Sequence, residues 1–226
     1  MNWKMKLYNI LIATSLIGLL ASCGNGNTHT EKTSRVEKLP FYQDAYFTPH
    51  WLTPGSNLAP DFHTIPDFKL VNQLGDTITQ ASLEDRIYVT DFFFTTCPGI
   101  CPKMTANMAM LQTAFMEDED VMLLSHTVTP KYDSVAILKE YADNKGILSE
   151  TWWLLTGERD HIYDLGRNHY FVEESLGLEK DPDDFLHTEN FILVDKDKHI
   201  RGIYNGLRKN DVKQLIADIH TLKEEG

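Results

Sequence analysis

Residues 87–104, IYVTDFFFTTCPGICPKM, decide how this chain is read. Residues 87–94 are β-branched or aromatic except for Asp91. An apolar run without polar alternation belongs to a strand buried on both faces of a sheet. Residues 102–116 follow with apolar side chains at helical spacing and with Pro102 at their start. A helix accepts proline in its first turn because the N–H there has no partner to lose. Between strand and helix stand Cys97 and Cys101, spaced Cys-x-x-x-Cys, each followed by a proline. The junction is the carboxyl edge of the expected sheet, where open α/β folds place their sites. Cys101 falls at or just before the helix N-terminus, with Cys97 in the loop above. Unpaired N–H groups and the helix dipole there favour thiolate over thiol. Thiolate is the nucleophile of disulfide exchange and also a soft ligand for Cu(I), zinc or iron–sulfur. The two cysteines alone therefore leave electron transfer and metal binding open.

The flanking sequence supplies the rest of a layered α/β domain over 59–226. Residues 68–71 and Thr77–Thr79 flank Gln73-Leu74-Gly75-Asp76, an N-terminal hairpin signal. Strands are expected over 121–128 and 152–155, and helices over 134–144 and 160–169. A hairpin over 191–195 and 200–204 turns at Lys196-Asp197-Lys198. A last helix over 211–223 has Asn210 as its expected N-cap. Strand–helix alternation closed by a β-hairpin and a helix predicts a central sheet flanked by helices.

The first 22 residues read as a targeting segment. Lys4 and Lys6 precede an apolar core over 10–20, ILIATSLIGLL, too short to span a bilayer comfortably. Leu20-Ala21-Ser22-Cys23 then resembles the lipobox of bacterial lipoproteins, in which the cysteine is lipidated and becomes the new N-terminus. Residues 23–58 read as a polar tether followed by an aromatic, irregular extension packed on the domain, with an aromatic docking patch for a partner as the alternative. These features place the domain in the bacterial cell envelope, outside the cytoplasm, on a lipid anchor. With Cys23 lipidated, Cys97 and Cys101 have only each other, and in an oxidising compartment they are expected to form a disulfide. Closing so short a loop constrains the unfolded chain little, so stapling is a weak reason for the pair. The formal charge of −12, from 21 Lys and Arg against 33 Asp and Glu, makes the chain a poor candidate for binding nucleic acid and gives no nucleic-acid partner.

A third ligand is sought among the nine histidines. His187 stands in a polar loop just before the strand that starts at Phe191, and that loop can reach the cysteine edge; the alternative is a surface histidine. His126 lies near the end of the strand expected to flank the cysteine strand, either as a ligand or as a hydrogen-bonded strand residue. Met104 and Met108 follow Cys101 at i+3 and i+7, as core filler or as soft sulfur near a metal. Asp181-Pro182-Asp183-Asp184 reads as a solvated loop or a lure for a cationic partner.

On these residues the chain resembles the Sco proteins from about Ile65 to the last helix. The shared pattern is a strand, then Cys97-Pro98-Gly99-Ile100-Cys101-Pro102, and much later His187 before Phe191-Ile192-Leu193-Val194-Asp195. The resemblance implies a thioredoxin-like fold with a mixed sheet. It implies a copper chaperone or thiol reductant assisting assembly of the binuclear copper centre of cytochrome c oxidase. Its partners would be that oxidase's copper-bearing subunit and other copper or thiol-redox proteins. Cys97, Cys101 and His187 would bind copper. Two departures stand out: Thr129 before Pro130, and Gly99 between the cysteines, both where the family often has an acid. Two thiolates and an imidazole suit Cu(I) without either carboxylate; Cu(II) and partner contact lose support. The competing reading is a thioredoxin-like thiol:disulfide oxidoreductase, against which the extra residue between the cysteines counts. A peroxiredoxin is disfavoured by Phe94 three residues before Cys97, and a lipoprotein with a merely structural disulfide is the remaining alternative.

Overall fold

A computed structural model describes residues 34–53, 55–173, 186 and 188–225. The expected signal segment, Cys23, residues 181–184 and His187 lie outside these. In chain order the elements are β1 (Lys69–Val71), β2 (Thr77–Thr79), β3 (Ile87–Phe93), α1 (Cys101–Phe115) and β4 (Val121–Thr127). Then come α2 (Val135–Lys145), β5 (Trp152–Leu155), α3 (Arg159–Asp164), β6 (Asn190–Val194), β7 (Ile200–Asn205) and α4 (Lys209–Glu225).

One five-stranded sheet runs β5-β4-β3-β6-β7. The apolar run is its centre: every residue of β3 is buried. β3 pairs parallel with β4 and antiparallel with β6, so the sheet is mixed. β5 extends it in parallel on one side, and β7 in antiparallel on the other. The period of two along β3 divides the core. Ile87, Val89 and Phe93 face α1, α2 and α4 in a cluster with Met104, Met108, Leu138 and Leu215. Tyr88 and Phe92 face the opposite layer with Ile65, Leu70, Ile162 and Tyr170. Each fully buried large apolar side chain contributes about 1.5–3 kcal/mol relative to exposure. This two-sided burial is what fixes the carboxyl end of β3 in space.

β1 and β2 form the expected hairpin, apart from the main sheet, in the register Lys69↔Thr79. Gly75 carries its turn with φ +88°, a conformation that favours glycine. The turn's Gln73 covers the free edge of β5. Its amide accepts from the Leu154 N–H and donates to the Trp152 carbonyl, each at 2.8 Å. A side chain thereby satisfies an edge that would otherwise offer unpaired backbone groups. At the opposite edge, residues 39–42 pack against β7. Tyr42 bridges Ile200, and the buried Arg201 lies over the Phe41 ring at 3.9 Å while donating to the carbonyls of Leu39 and Pro40. Tyr46 and Trp51 remain exposed.

Two boundaries differ from expectation. Residues 160–169 split into α3 and a π-type turn, Leu165–His169. The turn brings Gly166 so close to Leu186 that a Cβ there would stand 2.7 Å from the Leu186 Cδ1. α4 starts at Lys209, so Asn210 sits inside its first turn and caps nothing. The preceding loop is already turned by Asn205, whose Oδ1 accepts from Leu207 N–H at 3.0 Å, and the Arg208 carbonyl takes the N–H groups of Asp211 and Val212. Among the described residues, no helix is long and apolar enough to cross a membrane.

Candidate dithiol and metal centre

The strand delivers the cysteines through a tight turn in which Cys97 N–H donates to the Phe94 carbonyl at 3.3 Å. α1 begins at Cys101, one residue before Pro102, so the proline stands in the first turn as expected. Both cysteines are free thiols; Cys101 is buried and Cys97 half-buried. Both cysteines line one cleft, and the Cys101 side chain is near enough to favour charge on Cys97. Burial opposes charge on Cys97. The Cys101 thiol and the N–H groups of Cys101, Gly99 and Ile100 outweigh it and hold the Cys97 thiol below its ordinary value. Burial pushes Cys101 up to about 12, and its bond to Cys97 adds to the rise. The helix N-terminus therefore serves Cys97 rather than both sulfurs. Of the two, Cys97 is the sulfur that gives up its proton more readily, and Cys101 is the one that keeps it.

A cleft of about 330 Å³ opens at the pair, walled by Phe94, Ile100, Val128, Leu186 and Thr188. Leu186 and Thr188 are the chain neighbours of His187. Gly99 lies beside the sulfur: a Cβ there would stand 3.9 Å from the Cys97 Sγ, an ordinary van der Waals contact. Thr129, the other departure from the family pattern, donates its hydroxyl to the Asp133 carboxylate at 2.9 Å. Among the described residues no group of three or more His, Cys, Asp or Glu could hold a metal ion. The described part of the site is thus a pair of cysteines lining a largely apolar cleft.

The weaker candidates resolve into the core. His126 is fully buried, hydrogen-bonded through Nδ1 to Thr90 Oγ1 at 2.9 Å and stacked on Phe92 at 4.9 Å between ring centroids. Burial depresses its imidazole to about 3, so it is neutral. Met104 and Met108 are buried beneath β3. A residue that the sequence reading passed over lies behind the dithiol. Asp91 is buried on β3 and accepts from Ser125 Oγ at 2.5 Å, and Trp152 Nε1 donates to that Oγ at 2.9 Å. Burial pushes the Asp91 carboxyl up to about 7, against the pull of Ser125. Its charge also raises Cys101. A lone acid inside an apolar strand was the available signal.

A mixed sheet with a dithiol where its central strand meets a helix defines a thioredoxin-like thiol protein. The SCO1/SenC family model matches residues 57–224, and the chain belongs to that family. It is 32% identical over 162 residues to the SCO1 protein homolog of Bacillus subtilis, covering 70% of this chain and 81% of that one. It is 29% identical over 170 residues to a Stutzerimonas stutzeri protein named "Putative copper-binding protein", covering 70% and 78%. Its fold is similar to that of BsSco, described with a disulfide switch as a member of the Sco family of cytochrome c oxidase assembly proteins. That match has a TM-score of 0.62 at 29% identity over 75% of this chain and 99% of the other.

Proposed function

We propose that this protein binds Cu(I) as cargo through Cys97, Cys101 and His187, and that it serves assembly of the binuclear copper centre of cytochrome c oxidase. The observation that carries this is the pair of cysteines lining one cleft whose wall includes both neighbours of His187. Two thiolates and one imidazole form a soft trigonal set that suits Cu(I). Gly99 and Thr129 supply no carboxylate, which favours Cu(I) over Cu(II). Membership in the SCO1/SenC family, the copper-binding name of one relative and the oxidase-assembly description of BsSco support the reading. Lipidation at Cys23 would hold the domain at the envelope membrane beside an oxidase subunit.

Copper and redox states exclude one another at this site. Oxidation of the two thiols to a disulfide releases two electrons and two protons and removes both sulfur ligands. Reduced protein titrated with Cu(I) against a chromophoric chelator should take up one ion per chain, and the disulfide form none. Equal uptake by both forms would contradict the proposal. A thiol:disulfide oxidoreductase is the second reading, favoured by the opposed shifts of Cys97 and Cys101. Catalytic turnover of a disulfide substrate, with no retention of Cu(I), would select it.

A further inference from the structure

Asp133 is 1% exposed, yet no cation is bonded to it among the described residues. Hydroxyls and an N–H surround it instead. Thr95 clamps it at two points, from N–H to Oδ2 at 3.2 Å and from Oγ1 to Oδ1 at 2.5 Å. Thr127 Oγ1 and Thr129 Oγ1 donate to Oδ2 at 2.5 and 2.9 Å. Thr127 ends β4, and Thr129 and Asp133 lie in the loop that follows it. Thr95 lies two residues before Cys97, on the turn that presents that sulfur. A buried carboxylate with four donors is therefore a staple between the cysteine turn and the β4–α2 loop. Charge-assisted hydrogen bonds are shorter and stronger than neutral ones, which suits such a staple.

We infer that Asp133 is a positioning residue for the dithiol: through Thr95 it holds the turn that presents Cys97 to the cleft it shares with Cys101. The inference rests on the dithiol reading of the site. Chain that is already ordered loses little entropy when its two sulfurs close on each other or on one ion, and a loosened turn forfeits that advantage.

The test uses Thr95→Val, which removes the hydroxyl, Thr95→Ser, which keeps it, and Asp133→Asn. Each is equilibrated with glutathione buffers to measure the Cys97–Cys101 disulfide-to-dithiol ratio, and is separately titrated with Cu(I). Thr95→Val and Asp133→Asn should lower the ratio and weaken Cu(I) binding by about tenfold or more, the scale of lost support around metal ligands. Thr95→Ser should match the parent. Thr95 is only half-buried, so its variants keep a readout even where Asp133→Asn does not fold. Equal values for Thr95→Val and Thr95→Ser in the glutathione measurement would overturn the inference. A parent that takes up no Cu(I) overturns the copper reading alone, because the glutathione ratios still decide the role of Asp133.

Discussion

Replacing Asp91 with Asn should change how stability depends on pH. Asp91 sits on the central strand opposite Ser125 of β4, without access to water. Its carboxyl is pushed from 3.8 to about 7 by burial. The folded chain therefore holds a proton that the unfolded chain releases near pH 3.8. The stability contributed by neutral Asp91 is fully present below about pH 4 and is lost as pH rises to about 7. A rise of about three units at about 1.4 kcal/mol each amounts to roughly 4 kcal/mol. Asn has the same shape, still accepts from Ser125 and cannot ionise. Its amide N–H groups need a partner, which costs about 1–3 kcal/mol at every pH if none is found. The variant should be less stable than the parent near pH 4 and should draw level or pass it above pH 7. Urea unfolding of both proteins across that range reads the difference directly. A difference that does not vary with pH would refute the assignment of a buried, neutral carboxyl.

Met108 is fully buried beneath β3. Met108→Ala should cost about 2–5 kcal/mol in urea unfolding and leave Cu(I) affinity unchanged; the reverse pattern would make it a ligand. Gly206 has no room for a side chain, since a Cβ would stand 2.7 Å from the buried Phe191 ring. Gly206→Ala should lose about 1–3 kcal/mol by the same assay, and unaltered stability would show that the loop yields. Cys23→Ser should free the domain from washed membranes, or leave the signal segment uncleaved. A processed variant that stays with the membranes would rule out a lipid anchor.

The parts of the fold legible in the sequence are those fixed by neighbouring residues. The run at 87–94 has no polar alternation, and it is the strand buried on both sides. Gly75 marks its turn because few other residues take that φ, and Pro102 marks the start of α1 because few other helix positions accept it. What escaped was decided by residues far apart in the chain. The partner of Asp91 is Ser125, which comes to it only when β3 and β4 pair. Gln73 reads as an ordinary turn residue until β5 arrives beside it. Asn210 has good capping chemistry, but Asn205 and Arg208 had already turned the chain. The cysteine pair was legible as a pair. The division of labour between its sulfurs was not, because it depends on which one the N–H groups of 99–101 point toward. The family pattern named His187, which lies outside the described residues; its chain neighbours Leu186 and Thr188 line the cleft.

Copper K-edge X-ray absorption on the Cu(I)-loaded protein and on Cu(I)-loaded His187→Ala tests the central claim most directly. The account predicts two sulfur scatterers and one imidazole nitrogen in the parent, with the nitrogen lost and both sulfurs kept in the variant. A parent spectrum without two sulfurs, or a nitrogen contribution unchanged by the substitution, would contradict it.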